Sequence, residues 1–123
     1  MEVEVPYYDL EEARKLLPWL REKHREYLEV KTQIEEKLLR GVQDGVKELT
    51  EKVDEIVRGI TEKGVLIRDI DMGLFDFPAV INGRPAYLCW KVDESDIMYF
   101  HYPEEGFRGR KRIDERIEVL PLR

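Results

Sequence analysis

The densest group of chemically useful side chains lies near the C-terminal end of the sequence, in residues 106–112. Four cations occupy five positions there, among them Arg108 and Arg110, with Phe107 just before them and glycines on both sides. Arginine presents a planar fork of N–H donors that matches phosphate or carboxylate, and glycine lets the backbone approach an anion closely. The pattern therefore predicts a site for a small anionic ligand, or for an acidic patch on a partner subunit.

Basic clusters that contain an aromatic residue also bind nucleic acids. The whole chain, however, has 27 acidic and 21 basic side chains and a net charge of −6. That excess repels a polyanion over most of the surface, so a nucleic-acid partner is disfavoured. The simplest alternative is that residues 107–123, with six basic and three acidic side chains, form a solvated tail that pairs with acidic residues elsewhere.

His101 is the residue best suited to acid–base chemistry, because imidazole titrates near neutral pH. It precedes Glu104 and Glu105 by a few positions. A neighbouring carboxylate would orient one ring nitrogen and raise its basicity, although a histidine hydrogen-bonded at a sheet edge is the simpler interpretation. His24 falls on an apolar helix face, where a core or interface histidine is expected.

The sequence predicts no metal and no cofactor. Asp69, Asp71 and Asp76 are close enough in sequence to bind a hard cation, but they lack the ligand spacing of a calcium loop. The two histidines are far apart. Cys89 is interpreted as a buried structural cysteine, although alternation places Lys91 on its face.

Common catalytic motifs are missing from the sequence. It contains no phosphate-binding glycine loop, no serine elbow and no pair of cysteines in CxxC spacing. No catalytic residue is assigned, and an enzymatic role is disfavoured.

The elements that position these residues begin with a predicted antiparallel helical hairpin at residues 9–64. Asp9 and Glu12 resemble a capping box at a helix start. Two apolar stripes of helical period follow, separated by a turn at residues 41–45. Pro18 lies inside the first stripe and should kink or divide that helix.

Residues 65–106 change to a two-residue period, which predicts an antiparallel meander of three or four strands. Asn82-Gly83 is the clearest turn, because this pair adopts the left-handed angles of a type I′ hairpin. Helices followed by strands indicate an α+β fold, with residues 107–123 as a basic C-terminal tail. The predicted strands are residues 65–71, 75–81, 84–92 and 97–102.

The lengths of the two helices predict self-association. A helix over residues 10–40 would span roughly 46 Å, and one over residues 46–63 roughly 27 Å. The sheet can cover the overhang of the first helix, so the distal hairpin, residues 27–54, should protrude with an uncovered apolar seam. A homodimer in a four-helix arrangement would bury that seam, unless the two stripes satisfy each other.

Composition limits the class of protein. A length of 123 residues fits a single domain, residues 1–123, and no apolar run approaches the ~20 residues of a membrane span. The N-terminal residues do not resemble a signal peptide, and a lone cysteine suits a reducing compartment, so a cytoplasmic protein is expected. Abundant Glu, Lys and Arg with scarce Asn and Gln favour a thermophilic source over a charged helical segment in a mesophile.

Several strings occur in order along nearly the whole chain. They are Tyr8-Asp9-Leu10-Glu11-Glu12-Ala13, Leu16-Leu17-Pro18, Gly64-Val65 through Asp69, Gly73-Leu74-Phe75-Asp76-Phe77-Pro78-Ala79, Tyr87-Leu88-Cys89-Trp90-Lys91 and Glu105-Gly106-Phe107-Arg108-Gly109-Arg110. This set resembles a prokaryotic family of uncharacterised proteins, domain of unknown function 2203, and so implies no established activity. The family pattern Trp-His-Glu is replaced here by Phe100-His101-Tyr102, so Glu104 or Glu105 would have to supply the acid beside the histidine.

The resemblance concentrates the candidate ligand-binding residues in the sheet half of the chain. Asp76 or Glu105 would be an acid, a base or a ligand, and His101 would be the titrating group. Arg108 and Arg110 would hold an anion, and Trp90 would be a stacking wall. Alternatively, these residues form an ion-paired set that stabilises the sheet edge. The six candidates are Asp76, Trp90, His101, Glu105, Arg108 and Arg110.

Three functions are compatible with these features. The first is a dimerising interaction or scaffold module built on the hairpin. The second is a binding protein or minor enzyme for a small phosphate- or carboxylate-bearing ligand at the His/Glu/Arg cluster. The third is nucleic-acid binding through the basic tail.

Overall fold

A computed structural model describes residues 7–120, in which two helices precede an antiparallel sheet. Helix α1 spans Leu10–Leu39 and helix α2 spans Val46–Glu62. The helices pack against each other as an antiparallel hairpin. The α+β fold predicted from the sequence is confirmed.

Helix α1 is continuous, although it contains Pro18. It begins at an N-cap, where the Asp9 carboxylate accepts the backbone N–H of Glu12 at 2.8 Å. Proline removes one helical N–H donor, but Leu17 and Leu20 beside it are buried in the core. Tertiary packing therefore holds this part of the helix together.

All strand pairings in the sheet are antiparallel. The strand order is β1–β2–β3–β4–β5, and β6 pairs with the end of β2 that β1 does not reach. Asn82 and Gly83, with φ of 52° and 79°, turn β2 into β3 in the left-handed angles that the sequence predicted. The strands are β1 (Leu66–Asp69), β2 (Leu74–Ile81), β3 (Arg84–Lys91), β4 (Tyr99–His101), β5 (Lys111–Arg112) and β6 (Val119–Leu120).

The sheet has more strands than the three or four predicted, because the C-terminal segment contributes two. Residues 111–112 pair with β4, and residues 119–120 pair with β2. Ile113 and Ile117 between them pack against the core. A two-residue strand is too short to show a two-residue period, so the sequence pattern predicts a basic tail here and the structure corrects it.

The two faces of the sheet differ in character. One face packs on the helices and is apolar: Phe75, Phe77, Leu88, Trp90 and Phe100 are buried there in one cluster with Leu17, Leu20 and Ile60. The opposite face carries the polar residues Asp76, Cys89 and His101. Strand alternation separates the two sets.

The outer part of the hairpin exposes apolar side chains, most of all Leu38 at 61% and Leu39 at 87%.

Along residues 7–120, neither helix combines the length and apolar character that crossing a membrane requires.

Candidate functional site

Strand register brings Asp76, Cys89 and His101 together on the polar face. Asp76 in β2 lies opposite Cys89 in β3, and β3 in turn pairs with β4, which ends at His101. All three side chains are buried, and Asp76 is wholly inaccessible to solvent. A buried carboxylate next to a buried imidazole is costly unless both are fully paired.

The hydrogen bonds of His101 indicate which of its ring nitrogens carries a proton. Its Nδ1 lies 2.9 Å from the carbonyl oxygen of Tyr102, which can only accept, so Nδ1 carries a proton. Its Nε2 lies 2.8 Å from Oδ2 of Asp76. In a neutral imidazole that Nε2 would present a lone pair to a carboxylate. The contact therefore needs either one more proton, on Nε2 or on the Asp76 carboxylate, or a metal ion.

Asp76 is satisfied on one oxygen only. Arg68 Nε donates to Oδ2 at 2.7 Å, on the same oxygen that faces His101. Oδ1 is buried, and within residues 7–120 no N–H or O–H group donates to it; the neighbouring Cys89 thiol is a weak donor at most. A buried carboxylate oxygen without a partner costs free energy and marks a place where a ligand would be stabilised.

Arg68 reaches this face from a break in the strand register. Ile67 pairs with Phe75, whereas Asp69 pairs with Leu74, so Arg68 sits at a β-bulge. Bulges redirect side chains and occur next to functional sites. Its guanidinium lies 4.9 Å from the ring of Tyr87, and its side chain is 43% exposed.

Cys89 completes the cluster as a neutral thiol. Burial, followed by the nearby Asp76 carboxylate, raises the pKa of Cys89 to about 12. The free thiol is a poor nucleophile, which argues against thiolate catalysis by this residue alone. The prediction that Cys89 is buried is confirmed.

The ligand atoms of Asp76, Cys89 and His101 lie within 4.8 Å of one another. Ligands of tetrahedral zinc, at about 2.0–2.3 Å from the metal, are about 3.3–3.8 Å apart. The cluster therefore needs shifts of only about 1 Å to bind such an ion. Carboxylate, thiolate and imidazole are the donor types that Zn²⁺ takes in proteins.

An open cavity of about 370 Å³ adjoins this cluster. The segment that follows β4 forms one wall, and β1 with its bulge forms the opposite rim. The cavity lies against these buried residues, which is the usual arrangement of a binding site for a small molecule. Its lining residues are Arg68, Asp69, Leu74, Asp76, Cys89, His101, Pro103, Gly106 and Phe107.

Two predicted ligand residues are instead used to hold the covering segment. Arg110 donates to both carboxylate oxygens of Glu94 at 2.7 and 2.8 Å, with its guanidinium near the rings of Tyr99 and Phe107. Glu105 accepts the backbone N–H of Tyr102 at 3.0 Å and forms an ion pair with Lys111. The Lys111 ammonium lowers the pKa of Glu105, together with that backbone N–H.

The remaining predicted residues lie elsewhere. Trp90 is on the core face, where it stacks with Phe75 and its Nε1 donates to the carbonyl of Glu94. Arg108 is exposed in the short 3₁₀ turn Phe107–Gly109. Of the six candidates, only Asp76 and His101 line the cavity.

The three neighbouring acids do not converge on one cation. Asp69 accepts the backbone N–H of Met72, and Asp71 binds the hydroxyl of Tyr27 and the ammonium of Lys31. Only Asp76 points into the cluster.

Sequence reasoning missed Cys89 and Arg68 as members of the site. For Cys89 a signal existed. A two-residue turn at Asn82-Gly83 sets Ile81 opposite Arg84, and counting back places Asp76 opposite Cys89. No comparable signal existed for Arg68, because its position depends on a bulge.

Together these features define a small α+β protein whose helical hairpin covers one face of a sheet, with a buried Asp–Cys–His cluster on the other. The chain belongs to the family described as Uncharacterized conserved protein (DUF2203), whose model matches residues 6–113. The family resemblance inferred from the sequence is thereby confirmed. Searches of curated proteins and of solved structures gave no significant match.

Proposed function

We propose that this protein binds a divalent transition-metal ion, with Zn²⁺ as the preferred ion, through Asp76, Cys89 and His101. The proposal is supported by two polar atoms of one buried cluster, Nε2 of His101 and Oδ1 of Asp76, neither of which, with His101 neutral and Asp76 ionised, has an N–H or O–H donor within residues 7–120. His101 presents Nε2 to a carboxylate while Nδ1 is committed to the Tyr102 carbonyl, and within the described chain Oδ1 of Asp76 receives no N–H or O–H donor. A metal cation between them would accept the lone pair of Nε2 and bind the Asp76 carboxylate through Oδ1.

Two of the three ligands, His101 and Asp76, have an outer contact of the kind that metal ligands use. The Nδ1–H of His101 is held by the carbonyl of Tyr102, which fixes the ring and leaves Nε2 for the metal. Arg68 holds Oδ2 of Asp76, which leaves Oδ1 available. Cys89 would bind as a thiolate, so metal binding releases its proton to solvent.

Cobalt titration tests this proposal. Co²⁺ added to protein stripped with a chelator should give a thiolate-to-cobalt charge-transfer absorption that saturates at one ion per chain. Zn²⁺ should displace it and raise the melting temperature, because the ion binds only the folded state. Cys89 is the only cysteine in the sequence, so the band reports this one site.

Matched variants locate the ion. Cys89→Ser should abolish the charge-transfer band, and His101→Gln should weaken binding by more than the about 10–100-fold that follows loss of an outer contact. His24→Gln is the control, since His24 lies on α1 near the carbonyl of Asp71. If wild type and Cys89→Ser titrate identically, Cys89 is not a metal ligand and the proposal is wrong.

Self-association through the hairpin is a second candidate function, in which the protein acts as an interaction module. It is favoured by the four apolar side chains that the outer hairpin exposes: Leu28, Leu38, Leu39 and Val42. A second copy of the chain would cover them in a four-helix arrangement.

A further inference from the structure

We infer that the metal-bound form holds a small monocarboxylate with a short apolar tail, one oxygen on the metal and the other on Arg68. The inference rests on the metal site proposed above and names the class of molecule that the site would take. Three features support it: the incomplete coordination of the metal, the net charge of the metal-loaded cluster with Arg68, and the apolar side chains in the cavity wall.

The protein supplies too few ligands to close the coordination sphere. Within residues 7–120, four residues that line the cavity carry a group suited to a transition metal, and three of them, Asp76, Cys89 and His101, bring their ligand atoms within 4.8 Å of one another. The fourth, Asp69, instead accepts the backbone N–H of Met72. Zinc takes at least four ligands, and a site with three protein ligands keeps a position for water or substrate. The cavity of about 370 Å³ reaches all three residues, so the added ligand would come from that side.

Charge decides the kind of ligand. The two positive charges of the metal are offset by the Asp76 carboxylate and the Cys89 thiolate, which leaves Arg68 uncompensated beside them. Asp69 also lines the cavity, but its carboxylate is engaged with the backbone N–H of Met72 at 3.0 Å. A single negative charge balances Arg68, whereas a phosphate dianion would exceed what the buried cluster neutralises.

Arg68 is placed to bind such a group. Its Nε is bonded to Oδ2 of Asp76 at 2.7 Å, so the guanidinium lies directly beside a metal ligand. The bulge in β1 and the ring of Tyr87, 4.9 Å away, hold its orientation. Guanidinium binds carboxylate in a planar, directional geometry, which suits an anion that bridges it to the metal.

The walls of the cavity favour an apolar tail. Leu74, Pro103 and Phe107 line it, and Phe107 keeps 41% of its surface exposed. A ligand side group packed against them would remove apolar area from water. A carboxylate with a ring or a short chain therefore fits better than acetate.

The test uses the full-length protein loaded with Co²⁺, and occupancy is checked first from the thiolate charge-transfer band. Acetate, benzoate and inorganic phosphate are then titrated separately while the visible cobalt spectrum is recorded. Benzoate should shift the spectrum and bind several-fold more tightly than acetate. In Arg68→Gln the band should persist at saturating Co²⁺ and benzoate binding should fall about 10- to 100-fold, the loss expected for a charge-assisted contact.

Three further variants complete the design. Arg68→Lys should recover part of the affinity, Phe107→Ala should lose the preference for benzoate over acetate, and the exposed Arg116→Gln should change neither. A normal charge-transfer band with no response to any carboxylate overturns this inference and leaves the metal site standing. Phosphate binding as tight as benzoate overturns the assignment to monocarboxylates. Absence of the band overturns the metal site and this inference with it.

Discussion

Asp71 and Asp76 are neighbouring carboxylates whose roles differ because their burial and their hydrogen-bond partners differ. Both acids belong to one short acidic stretch, yet Asp76 is wholly buried and Asp71 is exposed. Asp76 faces His101 and Arg68 inside the sheet, and Asp71 faces Tyr27 and Lys31 on α1. The first can serve a site, and the second joins a helix to the loop before β2.

The Asp71 contacts predict a pH dependence of stability. Hydrogen bonds from Lys31 and then Tyr27 lower the pKa of Asp71. A lowered pKa in the folded state means that the charged form stabilises the fold. This contribution is complete above the unfolded-state pKa of about 3.9 and is lost as the pH falls through the lower folded-state value.

Asp71→Asn should therefore be less stable than wild type at pH 7, and the difference should shrink as the pH falls below about 3.9. Urea unfolding over a series of pH values measures this. Asp44→Asn, at an exposed position in the interhelical turn, should follow wild type at every pH. A difference for Asp71→Asn that stays constant down to the lowest pH would contradict the assignment.

At the scale of elements, the segment after β4 is fixed over the cavity by one nearly buried ion pair. Arg110 and Glu94 are 14% and 15% exposed, and Glu94 also accepts the backbone N–H of Lys91. Arg110 lies between the rings of Tyr99 and Phe107. Arg110, which the sequence pattern assigns to anion binding together with Arg108, thus holds the wall of the site.

Arg110→Met should lower the free energy of unfolding by about 3 kcal/mol, because it removes the cation that pairs with the nearly buried Glu94 carboxylate. Adding Glu94→Gln should recover part of that loss. Arg116→Met breaks an exposed pair and should cost less than about 1 kcal/mol. Denaturant titration of wild type and the three variants measures these free energies of unfolding. Equal decreases for Arg110→Met and Arg116→Met would show that the Arg110–Glu94 pair does not stabilise this segment.

At the scale of the whole molecule, the sheet covers only part of the hairpin. Buried residues of α1 extend from Ala13 to Val30, and the exposure of the leucines increases toward the interhelical turn, from Leu28 at 39% to Leu39 at 87%. Wild type should therefore sediment with the mass of a dimer at micromolar concentration. The double variant Leu38→Lys/Leu39→Lys should sediment as a folded monomer, because two charges cannot be buried at such a contact without partners.

Met72→Lys is the matched control for this measurement. Met72 is 48% exposed in the turn between β1 and β2, away from the hairpin tip, so its replacement should leave the mass unchanged. A wild-type protein that remains monomeric at high concentration would exclude self-association through the hairpin.

The sequence by itself determined the elements whose signals are local. The Asp9 cap, the two apolar stripes and the Asn82-Gly83 turn each act over a few residues, so they fix the hairpin of helices and the central pair of strands. That turn also sets which residues of β2 and β3 face each other, and so places Asp76 beside Cys89.

Only the tertiary structure decided what those residues meet. The bulge that turns Arg68 toward Asp76, the short strand that places His101, and the pairing of Arg110 with Glu94 join residues far apart in the chain. These contacts depend on packing and strand register between separate elements, so they cannot be predicted from a local sequence pattern. For the same reason Trp90, next to Cys89 in sequence, lies in the core rather than in the site.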